Sequence, residues 1–186
     1  MEIYNENLLE TAATVKLLLT DCDGVLTDTG IYYSASGEEL KRFSVRDGMG
    51  VERLRTIAKV DVGIVSGENS PSLVQRAAKL KITELHCGCK DKAAALLEIM
   101  ERLELTQQEL AFIGDDVNDC EAMRLAGLSA CTADAMEEVK KTALFQCKSF
   151  GGHGAFREFA EFIIHAKRWH AIKENSIFFK QILTTP

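Results

Sequence analysis

Short apolar runs separated by windows of helical period restrict this chain more than any other feature. The runs VKLLLTD (15–21), VDVGIVSG (60–67), ITELHCG (82–88), LAFIGDD (110–116), LSACTAD (128–134) and ALFQCK (143–148) read as strands. The windows 48–58, 71–80, 91–104, 118–126 and 135–141 between them read as helices. Strands alternating with such helices make βαβ units and a mostly parallel sheet, and right-handed crossovers put helices on both faces. The expected fold class is therefore α/β, a doubly wound, Rossmann-like sheet. Pro71 fits the first turn of its helix, with Asn69 and Ser70 as capping side chains. One segment breaks the rhythm: GIYYSASGEELKRFSVRDG (30–48) holds extended runs at 31–34 and 39–45 around Ser36-Gly37. It reads as a β-hairpin inserted over about residues 30–45.

From about Glu158 the tail is helical in period, with Phe159, Phe162, Ile163 and Ala166 on one face. In the extension over about 166–186, Ile177, Phe178, Phe179 and Ile182 are too apolar for a free tail. They are expected to pack on their own or a neighbouring subunit. No repeat or shift in composition divides the chain, so residues 1–186 are read as one domain, long enough to bury a proper core.

Net charge −6 argues against broad nucleic-acid binding, though not against a small anion in a local basic site. No apolar run approaches the roughly 20 residues that span a bilayer. The start, MEIYNENLLE, lacks the basic and apolar regions of a secretory signal. The six cysteines sit in a chain large enough to fold without disulfides, so reduced thiols and a cytoplasmic location are expected. Cys87-Gly88-Cys89 has no second Cys/His pair at zinc spacing, and His86 reads as structural.

In open parallel sheets, ligands bind beyond the carboxyl ends of the strands. Asp21 and Asp23 follow the first strand, Ser66-Gly67 the second and Asp115-Asp116 the fourth, while Lys92 opens a helix. Clustered carboxylates repel and raise one another's pKa, and a hard divalent cation, most simply Mg²⁺, offsets that repulsion. Such a cation draws in a phosphate, which Ser66, nearby N–H groups and Lys92 could hold. One aspartate could then attack phosphorus, and another, two residues on, could move the proton. Each piece alone has a plainer reading. Asp-x-Asp can be a solvated loop, 115–119 a helix cap, Ser66-Gly67 a turn and Lys92 a surface lysine. Four such groups at strand exits, in this order, weigh against coincidence.

DCDGVLTD, SGE, Lys92 and GDDVNDCEAM resemble, in order, the four motifs of the haloacid dehalogenase superfamily of phosphatases. With the hairpin, VRDGMG and a late GGHGAFRE, the likeness covers about residues 13 to 165. It is to the small branch without a cap domain that dephosphorylates 3-deoxy-2-ulosonic acids. The resemblance implies Asp21 as nucleophile and Asp23 as general acid/base. Mg²⁺ would be held by Asp21, the Asp23 backbone carbonyl and Asp115. Ser66, Gly67 and Lys92 would hold the phosphoryl group, with Asp116 and Asp119 supporting the metal and Lys92 from behind. It also implies a homotetramer built around the hairpins, in which a neighbouring subunit covers the site, and makes Arg46, Asp47 and Gly48 candidates for the substrate edge.

Glu68 and Lys79 resemble the pair in phosphatases of nine-carbon acids such as 2-keto-3-deoxynononate or N-acylneuraminate 9-phosphate, the favoured substrates at this point. A carboxylate can accept from sugar hydroxyls and an ammonium can meet a substrate carboxylate. The eight-carbon 3-deoxy-D-manno-octulosonate 8-phosphate is the alternative. A non-catalytic regulatory module or a phosphoprotein receiver on the same fold stands against the enzyme. Retention of Asp21, Asp23, Lys92 and Asp115 favours the enzyme.

Overall fold

A computed structural model describes residues 4–184, with side-chain surroundings for 4–175. The elements are α1 (Glu6–Thr14), β1 (Leu17–Thr20), β2 (Ile31–Ser34), β3 (Gly37–Lys41), α2 (Val45–Arg53), β4 (Asp61–Val65), α3 (Pro71–Leu80) and β5 (Glu84–His86). There follow α4 (Lys92–Arg102), β6 (Leu110–Gly114), α5 (Cys120–Leu125), β7 (Leu128–Cys131), α6 (Glu137–Thr142), β8 (Phe145–Gln146) and α7 (Ala155–Thr184). Six strands form one parallel sheet in the order β5-β4-β1-β6-β7-β8. All six expected strands are present. The side chains of Ile177, Phe178, Phe179 and Ile182 lie outside the described residues.

The central strands are apolar without interruption because both faces are covered. Side chains alternate along each strand: Leu18, Ile64, Ala111 and Ile113 join one apolar layer, while Leu17, Leu19, Val65 and Phe112 join the other. The first layer is closed by Phe156, Phe159, Phe162 and Ile163 of α7 together with Leu9 of α1 and Val51 of α2. Leu96 and Ile99 of α4 and Met123 of α5 close the second. All six thiols are free.

Two local details differ from the sequence reading. Helix α1 had no place in it, although Asn5 caps the helix by accepting from the Asn7 amide at 2.9 Å. The hairpin is present, but its second strand ends at Lys41 rather than running to Val45. Ser44 accepts from the Asp47 amide at 3.3 Å and so caps α2, ending extended structure earlier than the residue preferences indicate. No cap domain is built among the described residues.

Strand order reverses at β1. The chain steps from β1 outward to β4 and β5, then returns to β6 on the other side of β1. A crevice therefore opens beyond the carboxyl ends of β1 and β6, where ligands of such sheets bind.

Candidate active site

The register pairs Thr20 with Ile113, and the Asp21 amide donates to the Ile113 carbonyl at 3.0 Å. Asp21 thus leaves β1 beside Asp115 leaving β6. Gly24 lets them meet: its φ is +90°, and a Cβ there would fall 1.9 Å from Asp115 Oδ2. The glycine-rich stretch after β8 seals the loop from behind. The Gly152 amide donates to the Val25 carbonyl at 2.9 Å, and a Cβ on Gly151 would collide with the Gly24 carbonyl.

Lys92 begins α4 after Asp91, which caps the helix by accepting from the Ala94 amide at 2.9 Å. Its ammonium turns inward, 2.9 Å from Asp21 Oδ1 and 2.6 Å from Asp119 Oδ1. The Cys22 amide donates to the same Asp21 oxygen at 2.7 Å. Asp119 is fully buried, and its second oxygen accepts from the Asp115 and Asp116 amides at 2.9 and 3.3 Å. One carboxylate therefore fixes both the lysine and the turn that carries Asp115. Ser66, almost wholly buried, directly follows β4 and accepts from the Glu68 amide at 3.3 Å. Asp116 accepts from the Val117 amide at 2.7 Å.

These groups face a cavity of about 240 Å³ lined by Asp21, Asp23, Thr29, Ser66, Gly67, Glu68, Lys92, Asp115, Asp116 and Asn118. A larger depression of about 560 Å³ beside Tyr4 and α7 gathers no comparable set. Thr29 had no place in the sequence reading, and Asn118 appeared there only as part of a helix cap and of the GDDVND motif. Thr29 takes a φ of +64°, which is rare for a β-branched residue, so nothing in the sequence marked its place at the site.

The electrostatics reproduce the expected conflict. Burial first, then the charge of Asp119, pushes the Asp21 carboxyl up to about 7. Burial and then Asp21, Asp119 and Asp116 push Asp115 up to about 8. Burial works against the charge of Lys92, but Asp21 and Asp119 outweigh it and hold the ammonium above its ordinary range. Asp115 Oδ1 is buried with no hydrogen-bond partner. Oxygens of Asp21, Asp115 and Asp119 lie within 4.8 Å of one another. Lys92 and two amides already engage Asp119. The oxygens open to a cation belong to Asp21 and Asp115, a hard, anionic donor set that fits Mg²⁺.

The recognition residues fare differently. Glu68 lines the cavity, but Lys90, not Lys79, faces it at 3.8 Å. Lys79 is exposed on the last turn of α3 and does not line the cavity. Arg46, Asp47 and Gly48 do not line it either. Arg46 is exposed. Asp47 is 1% exposed because it accepts from the Arg157 amide at 2.9 Å, tying α2 to the start of α7. Gly48 is backed by the Arg76 guanidinium, 2.5 Å from where a Cβ would lie. Within one chain the VRDG segment is thus a helix junction.

An open α/β sheet carrying a buried carboxylate cluster at its switch point, backed by a buried lysine, is an arrangement suited to a phosphoric monoester hydrolase. Residues 75–158 match the family model of haloacid dehalogenase-like hydrolases. The 3-deoxy-D-manno-octulosonate 8-phosphate phosphatase KdsC of Yersinia pestis is 39% identical over 162 residues, which cover 87% of this chain and 86% of that protein. The cobalt-bound deoxy-D-mannose-octulosonate 8-phosphate phosphatase of Haemophilus influenzae superposes with a TM-score of 0.82 at 38% identity, covering 84% of this chain and 91% of that one. The Moraxella catarrhalis 3-deoxy-D-manno-octulosonate 8-phosphate phosphatase, in complex with magnesium, phosphate and a KDO molecule, gives 0.85 at 30% identity, covering 94% and 99%. This chain belongs to the haloacid dehalogenase-like hydrolases. The expected preference for a nine-carbon acid finds no support in these relatives, nor in the separation of Lys79 from the cavity.

Proposed function

We propose that the chain is a Mg²⁺-dependent phosphatase that releases the terminal phosphate of a 3-deoxy-2-ulosonic acid, with the eight-carbon 3-deoxy-D-manno-octulosonate 8-phosphate as substrate. The observation that carries the chemistry is the convergence of Asp21, Lys92, Ser66 and Asp115 from four separate elements on one cavity. The named activities of the relatives at 35–39% identity support the substrate.

Lys92 and the Cys22 amide both hold Asp21 Oδ1 and so fix the carboxylate for attack through one oxygen. As that oxygen bonds to phosphorus, the bond to the sugar oxygen breaks and Asp23 gives its proton to the departing alkoxide. Water then attacks the aspartyl-phosphate, Asp23 takes the water's proton, and Asp21 is freed with release of phosphate. Ser66 and the Gly67 backbone bind the phosphoryl oxygens beside Lys92. Asp21, Asp115 and the Asp23 backbone carbonyl would hold Mg²⁺, which neutralises charge on the phosphoryl group when bound.

Tyr32, Tyr33 and Leu40 stand 62, 69 and 64% exposed on the hairpin, and this apolar surface supports a homotetramer whose neighbouring subunits cover the sites. Six free thiols support a reducing, cytoplasmic setting. The test is phosphate release from the eight- and nine-carbon sugar-acid phosphates, side by side, with Mg²⁺ and with chelator. Faster turnover of the eight-carbon ester, lost on chelation, is expected. Turnover without divalent cation would refute the chemistry, and a nine-carbon preference would refute the substrate.

A further inference from the structure

We infer that Lys41, the last residue of the hairpin strand β3, is a positioning residue for Asp23, so that the inserted hairpin completes the catalytic site. This rests on the assignment of Asp23 as acid/base above. Lys41 Nζ stands 2.8 Å from both carboxylate oxygens of Asp23, and its side chain is wholly buried. The other support of Asp23 is weaker: the Thr27 hydroxyl donates to Oδ1 at 3.4 Å. A second carboxylate, Glu38, lies 3.5 Å from the same ammonium. Glu38 in turn accepts from the hydroxyl of Ser70, which caps α3 by accepting from the Leu73 amide at 3.2 Å. The ammonium is thus anchored to the framework on one side and grips Asp23 on the other.

Residue choice on β3 makes the point sharper. Leu40 projects into solvent at 64% exposure, while its neighbour Lys41 points inward. Hydrophobic burial alone dictates the opposite arrangement. An ammonium enclosed between carboxylates brings little stability over an apolar side chain of similar volume, because desolvation offsets the attraction. What it supplies is geometry. Contact with both oxygens opposes rotation of the Asp23 carboxylate, and an acid must lie within hydrogen-bond reach of its proton acceptor. Misplacement by about 1 Å can cost about 100-fold in rate.

Two esters separate this role from general support of the fold. An alkyl phosphate releases an alkoxide that needs the proton of Asp23, whereas p-nitrophenyl phosphate releases a stable phenolate that does not. kcat/KM reports only the half-reaction in which the alcohol leaves. With Mg²⁺ present, Lys41→Met should lower kcat/KM by about 30-fold or more on 3-deoxy-D-manno-octulosonate 8-phosphate, and by less than about 3-fold on p-nitrophenyl phosphate. Lys41→Arg should restore most of the loss. Adding Lys41→Met to Asp23→Asn should cost nothing further on the sugar ester. Equal losses on both esters, no loss on either, or full additivity with Asp23→Asn would each overturn the inference. Should Lys41→Met fail to fold, Lys41→Gln is read by the same ratio, a loss confined to the sugar ester supporting the role and an equal loss on both esters, or none, refuting it. Wild-type protein inactive on both esters would defeat the phosphatase reading itself, and this inference with it.

Discussion

The carboxyl ends of β1 and β6 and the rim around α2 and α3 carry equally suggestive residues, yet only the first region assembles as a site. At the strand ends, Asp21, Lys92 and Asp119 are each at most 6% exposed, and each is held by a partner from a different element. On the rim, Arg46 and Lys79 are exposed, and Asp47 is committed to the start of α7. Buried charges must find partners, so their geometry is dictated by the fold. Exposed charges need none, and a motif that contains them does not place them.

Removing the buried hub would test this contrast most severely. Asp119→Ala should leave Lys92 with a single carboxylate and free the Asp115 and Asp116 amides. Turnover should fall about 100-fold or more, and chemical denaturation should show a loss of about 3 kcal/mol. A near-normal enzyme would mean that Lys92 needs no support from behind.

The next effect is linkage. Asp21 and Asp115 have folded-state values of about 7 and about 8, raised from the ordinary 3.8, so the metal-free folded protein binds more protons than the unfolded chain in between. Their contribution to stability must therefore fall as pH rises from about 4 to about 8, then level off. Excess Mg²⁺ should flatten that fall, because the cation replaces the protons. Melting temperature against pH, with chelator and with Mg²⁺, reads this directly, and parallel curves would detach these acids from a metal. The smallest effects belong to the rim. Lys79→Ala should leave kcat/KM within about 2-fold and stability within about 0.5 kcal/mol, while Glu68→Arg, at a residue that lines the cavity, should weaken a nine-carbon ester more than the eight-carbon one. A large loss from Lys79→Ala would bring the rim back into the site.

The sheet was legible because parallel strands buried on both faces must be apolar throughout, and LLLT or LAFIG admits few other readings. The strand-end acids were legible for the same reason, since a carboxylate directly after such a run has its position fixed by the run. What escaped depended on distant partners. Asp47 meets an amide 110 residues away, a relation no local pattern carries. Lys41 lies inside the extended run 39–45 and was not singled out, because nothing nearby shows that Asp23 and Glu38 will close around it. Helix α1 is short and depends on packing against α7.

The central claim is that Asp21 is held as a nucleophile toward phosphorus. Rapid mixing of protein, Mg²⁺ and substrate, followed by acid quench and peptide mass spectrometry, would locate the intermediate. A phosphoryl group should appear on Asp21 within the first turnover, and be absent from the Asp21→Asn variant and from chelated samples. Phosphate found on another residue, or normal turnover by Asp21→Asn, would contradict the account.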